Sequence, residues 1–386
     1  MNRLLLVALL LGGCGSRTSL GRDGSFVDDD PFLKIDAAPA PPRSSDGGSG
    51  SAVPDGSGGP DLAGASTAGA ERAVRDIAKL LWQSDPDPRH LALAQGGQIR
   101  SSADLESVAR EMLQDPRARV GVGAFFRWWL HLDELGQARK DPQLFPLFPK
   151  VVEPLVQDVV DFGVGVTLQD GRFATLMTAS RPYQDMAVAA LVGDRGDDPR
   201  RPGLLGRPGL LALLAGPDRP SPVKRGYFIR HDVMCEEIPP SPPNVDTRVP
   251  PQPAGLTNRE HYASLMTAPA CAGCHSMFDP IGYGLEGFDA VGALRFLDHG
   301  RMIDSSGTIP SAPIGDLTFN GAAELGKQLS GYLRAQQCVV LKWYQFLRGM
   351  PPPKGGDPIV SSGLTAYSRA GDVRDAIVAM LGATPF

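Results

Sequence analysis

Residues 269–280 read PACAGCHSMFDP, so two thiols and an imidazole occupy five consecutive positions of a 386-residue chain that has only five cysteines and six histidines. Random placement would produce a Cys-x-x-Cys-His run about 0.001 times in a chain of this composition. The spacing answers one geometric demand closely. On a helical turn, residues three apart share a face and the next residue projects beside them. Cys271 and Cys274 can then form thioethers with the two vinyl groups of a haem, and His275 can reach its iron from the same side.

Other chemistry uses similar residues, and three alternatives stay open at this stage. A structural zinc needs four ligands, which would bring in Cys235, Cys338 or distant histidines, because no second close pair exists. A thioredoxin-type dithiol follows a strand in a βαβ unit, whereas helical patterns surround this motif. A plain Cys271–Cys274 disulfide would leave a binding or scaffold protein with no catalytic role. Under the haem reading, haem c is the cofactor, His275 is the proximal ligand, and Met302 or Met350 is the candidate sixth ligand, with His299 as a further option. Cys235 and Cys338 remain as a pair that an oxidising compartment would join, tying a Pro-rich joint to a C-terminal helix.

Export is written at the N-terminus. MNRLLLVALLLGGCGS has one Arg and an apolar run from Leu4 to Leu11, too short to span a bilayer as a helix but suited to a signal peptide. Its ending, LLGGC, resembles the lipobox of bacterial lipoproteins, which makes Cys14 the expected lipidated first residue, with Gly15 behind it favouring the outer membrane. Residues 15–70 are rich in Gly, Ser, Pro and Ala and read as a disordered tether. A net charge of −5 without a dense Lys/Arg block argues against nucleic acid or anionic lipid as the main partner. The expected partners are the membrane, through the lipid, and a redox protein.

Helical periodicity dominates the rest, so the expected fold class is mainly α. Leu105, Val108, Ala109, Met112 and Leu113 mark one apolar stripe after Ser101 and Ser102. AFFRWWLHLDEL, PLFPKVVEPLVQDVVDFGVGVT and GRFATLMTA predict further helices, and a helix is expected near Tyr227 to Cys235. After the motif, ALRFLD and RMIDSSG allow short strands. AELGKQLSGYLRAQQCVVLKWYQFLRG then predicts a long helix with at most one break, and DVRDAIVAMLG predicts a last one. The expected order is a helical bundle domain at 71–220, a small c-type-cytochrome-like, loop-rich domain at 221–330, and a C-terminal helical domain at 331–386, behind the signal (1–14) and the tether.

Several side chains suggest roles of their own. Phe125, Phe126, Trp128 and Trp129 predict an aromatic core cluster, and His131, Asp133 and Glu134 a solvated helix end. Asp279, before Pro280, is expected to end the motif helix. Asp289 and Arg295 are candidates to meet haem propionates or to pair with each other. No Ser-His-Asp array, paired-carboxylate site or nucleotide loop stands out.

Three segments, FFRWWLHLDELGQARKDPQLFPLFP, SPVKRGYFIRHDVMCEEIPPSPPNV and PACAGCHSMFDPIGYGLEGFDAVG, closely resemble successive parts of the planctomycete-type cytochrome c family, also common in myxobacteria. These are secreted proteins built from serial domains of unknown function. CVVLKWYQFLRGMPPP resembles their last domain, so the similarity runs from Ala118 to about Pro353. It implies a secreted haem-binding module of unknown reaction, here with a single haem motif, and the expected function is extracytoplasmic electron transfer. A haem-dependent redox enzyme is the alternative.

Overall fold

The protein is described by a computed structural model covering residues 66–239, 249–267, 269–310, 315–353 and 356–383. The signal peptide, Cys14 and nearly all of the tether lie outside the described residues. The tether's last positions do not belong to it: Ser66 accepts a hydrogen bond from the Gly69 N–H at 3.0 Å and starts a helix.

Helices follow one another from there: α1 (Thr67–Trp82), α2 (Pro88–Gln95), α3 (Ser102–Gln114), α4 (Ala118–Trp129), α5 (Val152–Gln169), α6 (Phe173–Thr178), α7 (Met186–Val192), α8 (Pro208–Leu213) and α9 (Pro222–Phe228). The chain continues through α10 (Asn258–Leu265) and α11 (Pro269–Gly282) to two antiparallel ribbons. One pairs β1 (Leu297–Asp298) with β2 (Arg301–Met302), in the register Leu297 to Met302. The other pairs β3 (Ser306–Ile309) with β4 (Leu317–Asn320), in the register Ser306 to Asn320. Then come α12 (Gly321–Gly331), α13 (Leu333–Arg348), α14 (Pro358–Ala370) and α15 (Val373–Gly382). The fold is mainly α, as the periodicity predicts. Among the described residues, no helix is long and apolar enough to cross a membrane.

Two compact units emerge. Among the described residues, one holds 122–339, and the other combines 66–121 with the stretch from 340 onward. Non-local contacts therefore decide the partition.

In the second unit, α3 starts with a reciprocal cap in which Ser101 and Asp104 satisfy each other's backbone N–H groups. Its stripe of Leu105, Val108, Ala109, Met112 and Leu113 is buried as the spacing predicts. Trp82 donates its indole N–H to the Met112 carbonyl at 2.8 Å, and Arg110 pairs with Asp375 of α15 at 2.8 Å. Helix α14 packs on α15. Neither α2 nor α14 is legible as a period, because α2 is eight residues long and α14 mixes Ser, Thr and Gly into its face.

In the 122–339 unit, α5 is buried along most of its length, and its Asp158 meets Arg207 from the turn before α8. Phe125, Phe126 and Trp129 are core, while Trp128 lies partly exposed, so the aromatic cluster keeps three of its four expected members inside. The predicted helix near Tyr227 starts earlier, at Pro222, and widens after Phe228 into a π-helical turn over Ile229–Val233. The long C-terminal helix has one break, at Tyr332.

Helices α9 and α11 cross at backbone contact. A Cβ on Gly226 would stand 1.9 Å from the Phe278 carbonyl oxygen, and one on Gly282 would stand 1.9 Å from that of Pro222. Only glycine allows this approach. The crossing sets α11, and the motif it carries, against α9.

Candidate functional site

Helix α11 contains the whole motif, so Cys271, Cys274 and His275 fall on one helical face as the spacing predicts. Cys271 and His275 are buried, and Cys274 is half-buried with a free thiol. The Cys271–Cys274 disulfide entertained from the sequence is therefore not formed. Two residues three apart on a regular helix face hold their side chains apart along the axis, which opposes the short Cβ separation a disulfide needs.

Asp279 does not end the helix. α11 runs on through Pro280 to Gly282, and Pro280 only removes the N–H that the Ser276 carbonyl would have accepted. Asp279 instead lies one turn beyond His275, on the same face, with both carboxylate oxygens 3.1 Å from the imidazole Nδ1. Burial pushes its carboxyl above the ordinary value, while the hydrogen bond and charge of His275 pull the other way. A carboxylate at Nδ1 fixes the tautomer with its proton there, which turns the lone pair of Nε2 outward as a ligand. The i, i+4 relation of His275 and Asp279 was readable in the sequence, but the helix-breaking expectation for Asp-Pro masked it.

The ring of Phe278 packs on His275 at 4.9 Å and meets Tyr227 edge-on at 5.9 Å. Val223, Ile238, Tyr262 and Phe278 form a buried apolar cluster against which Tyr227, Val249, Leu265, Cys274 and Met277 pack. Arginines brace this region. Arg230 donates to the Met277 carbonyl at 2.7 Å and pairs with Glu236 at 2.7 Å, while Arg225, fully buried, donates to the carbonyls of Leu285, Phe288 and Asp289 at 2.6, 3.0 and 2.8 Å.

The loop after α11 is organised by a second buried group. Glu286 accepts from the Asn258 amide at 3.0 and 3.1 Å and from Arg295 Nη2 at 2.8 Å. Arg295 also approaches Asp298, at 3.6 Å. Asp289 accepts the N–H groups of Val291 and Ala293 at 2.9 and 2.8 Å, closing a tight turn. Asp289 and Arg295 thus do not pair with each other. Arg295 is engaged by Glu286 and Asp289 by its own turn.

Cys235 and Cys338 are joined, as the cysteine count suggested. The bond ties the residue after the π-helical turn, where Cys235 adopts φ 50°, to the interior of α13. The same turn carries Asp232, which is flanked by His231 at 3.2 Å and His131 at 3.6 Å. His131 is therefore drawn to Asp232 from its left-handed position (φ 54°), apart from Asp133, which pairs with Arg127. Met302 on β2 and Met350 after α13 are 75% and 60% exposed, and His299 is exposed beside Asp298. Among the described residues, no cluster of three or more His, Cys, Asp or Glu side chains is arranged to hold a metal ion, which leaves the zinc alternative without a ligand set.

The residues suit a c-type haem on three counts: two cysteine positions and an imidazole on one helix face, Nδ1 held by a carboxylate, and apolar side chains around Cys274.

No curated protein and no solved structure matches the chain. Two family models do. Residues 71–193 match PSD4, a protein of unknown function (DUF1592), and residues 201–298 match PSCyt3, a protein of unknown function (DUF1588). The two matches lie in series along the chain, and the second, to a model whose name bears a cytochrome label, spans Cys271, Cys274 and His275.

Proposed function

We propose that this is an exported, lipid-anchored protein that carries one covalent haem c and passes single electrons to a partner protein outside the cytoplasm. The observation that carries the reading is the buried Asp279 at Nδ1 of His275, on the helix face that also presents Cys271 and Cys274. Bound there, the group would supply reversible one-electron chemistry. The protein's own part is to attach it through Cys271 and Cys274, to orient His275 through Asp279, and to keep water away with Phe278 and Tyr262. The Cys235–Cys338 bond suits an oxidising compartment.

Exported in a host with cytochrome c maturation, the wild-type chain is expected to retain haem after denaturation, seen as a pyridine haemochrome and as added mass on the peptide containing residues 271–275. The Cys271→Ala, Cys274→Ala variant should carry none. A folded wild-type product without haem, beside a control cytochrome that matures normally, refutes the assignment. Membrane anchoring has its own measurement: Cys14→Ser should move the protein from the membrane fraction to the soluble one, and unchanged fractionation would exclude lipidation at that position.

The orienting role of Asp279 predicts a shift in redox potential. Its carboxylate makes the imidazole a stronger donor and favours the ferric state. A tenfold to hundredfold loss of that preference corresponds to about 60–120 mV for a one-electron couple. Asp279→Asn, which keeps the shape, should raise the midpoint potential by about that amount in a redox titration. An unchanged potential would show that the carboxylate does not act on the iron.

A further inference from the structure

Six histidines occur in the sequence, and the structure accounts for all but one of those in the 122–339 unit. His131 and His231 flank Asp232, His275 is held by Asp279, and His299 lies 3.0 Å from Asp298. His90 belongs to the other unit. His261 is different. It is 1% exposed, and neither of its ring nitrogens makes a hydrogen bond. The Pro250 carbonyl is nearby but outside hydrogen-bond geometry. An unsatisfied buried polar group costs about 1–3 kcal/mol, so a purely structural imidazole here would be a poor choice beside a leucine or phenylalanine.

Its position gives the orphan a use. His261 sits on α10, which a reciprocal cap between Thr257 and Glu260 starts and which Asn258 pins to Glu286. Tyr262, the next residue, and Leu265, one turn on, both pack in the apolar cluster with Cys274, Met277 and Phe278. Val249, beside Pro250, packs there too. His261 therefore lies on the helix whose Tyr262 and Leu265 join the apolar cluster that also takes Cys274, Met277 and Phe278 of α11. The methionines considered from the sequence are placed otherwise, because Met302 and Met350 are largely in solvent.

We infer that His261 is the sixth, distal ligand of the haem iron, so that the centre is coordinated by two histidines. This inference rests on the haem assignment above. Paired imidazoles stabilise ferric iron more than a thioether does, which places the protein at the low-potential end of cytochrome c chemistry. A closed sixth position also commits the centre to electron transfer and leaves no vacancy for peroxide or dioxygen.

The test uses the full exported chain with its haem attached. Haem content is read first, by a haemochrome assay under denaturing conditions that is blind to axial ligation. Visible and electron paramagnetic resonance spectra of the ferric state then report the spin state, and circular dichroism reports folding. The wild type is expected to be six-coordinate and low-spin, with no spectral response to added imidazole. His261→Ala should keep its covalent haem, shift to high spin, and return to low spin on adding imidazole. His261→Met, which preserves bulk and offers a thioether, should stay low-spin with a raised midpoint potential. A high-spin wild type, or an unchanged low-spin spectrum and potential in the methionine and alanine variants, overturns the inference while leaving covalent haem intact. Absence of haem in the denaturing assay overturns the haem assignment and this inference with it.

Discussion

Replacing both Cys235 and Cys338 with serine should lower the stability of the 122–339 unit by about 4.7 kcal/mol, the loop-closure entropy expected for a bridge across a loop of roughly 100 residues. The two cysteines are 103 residues apart in sequence, and the bond closes that whole stretch, motif helix included, into one covalent loop. For a unit of some 220 residues, the loss translates into a melting temperature lower by about 10–20 °C. Differential scanning calorimetry of the oxidised wild type against the double serine variant gives the number. A change within about 1 kcal/mol would mean that the unfolded chain is already constrained there by other means, or that packing at Asp232 and α13 holds the joint without the bond.

Removing Glu286 should be nearly as damaging. Its carboxylate is buried against Asn258 and Arg295, and Glu286→Ala leaves Arg295 without its ion-pair partner and the fully buried Arg225 without the negative charge that most favours it. Breaking a buried pair by deleting one partner costs about 3–5 kcal/mol, most of it the uncompensated charge that remains. The expected signature is a fall of that size in chemical denaturation, with Glu286→Gln less severe because it retains an acceptor for Asn258. A double substitution, Glu286→Leu with Arg295→Met, should cost less than the sum of the two single changes. Simple additivity would show that Glu286 and Arg295 do not act on each other. The effect should reach the motif as well, because Asn258, which Glu286 holds, begins the helix that carries His261 and Tyr262.

Much of the local structure follows from nearest-neighbour chemistry. The face of α3 and its cap, the single break between α12 and α13, and the placement of the motif on a helix depend on residues within a few positions of one another. The pairing of Cys235 with Cys338 followed from counting, once three of the five cysteines were set aside for the expected lipid and haem attachment. The motif's chemistry is equally local, since i, i+3 and i+4 share a helix face whatever surrounds them.

Where sequence reasoning failed, the deciding partner lay far along the chain. Asp279 and Pro280 read locally as a stop, yet the helix continues because α9 packs against it at Gly226 and Gly282 and leaves the chain no room to turn. Asp289 and Arg295 looked like partners six residues apart, but burial beside Asn258 and Glu286 gave Arg295 a better charge and left Asp289 to its turn. His261 carried no signal at all, since a histidine in a polar stretch is ordinary until its surroundings are known to be dry. The division into units was also hidden, because helical periodicity reports which face of an element is apolar and not which other face it meets.

The sequence by itself determined that the chain is mainly helical and that Cys271, Cys274 and His275 share one face, because both follow from backbone periodicity. Tertiary structure alone decided what surrounds that face: the carboxylate at Nδ1, the apolar cluster beside Cys274, and the unpartnered imidazole of His261. Burial and desolvation are properties of a packed interior, and they exist only once segments distant in sequence have closed around the site.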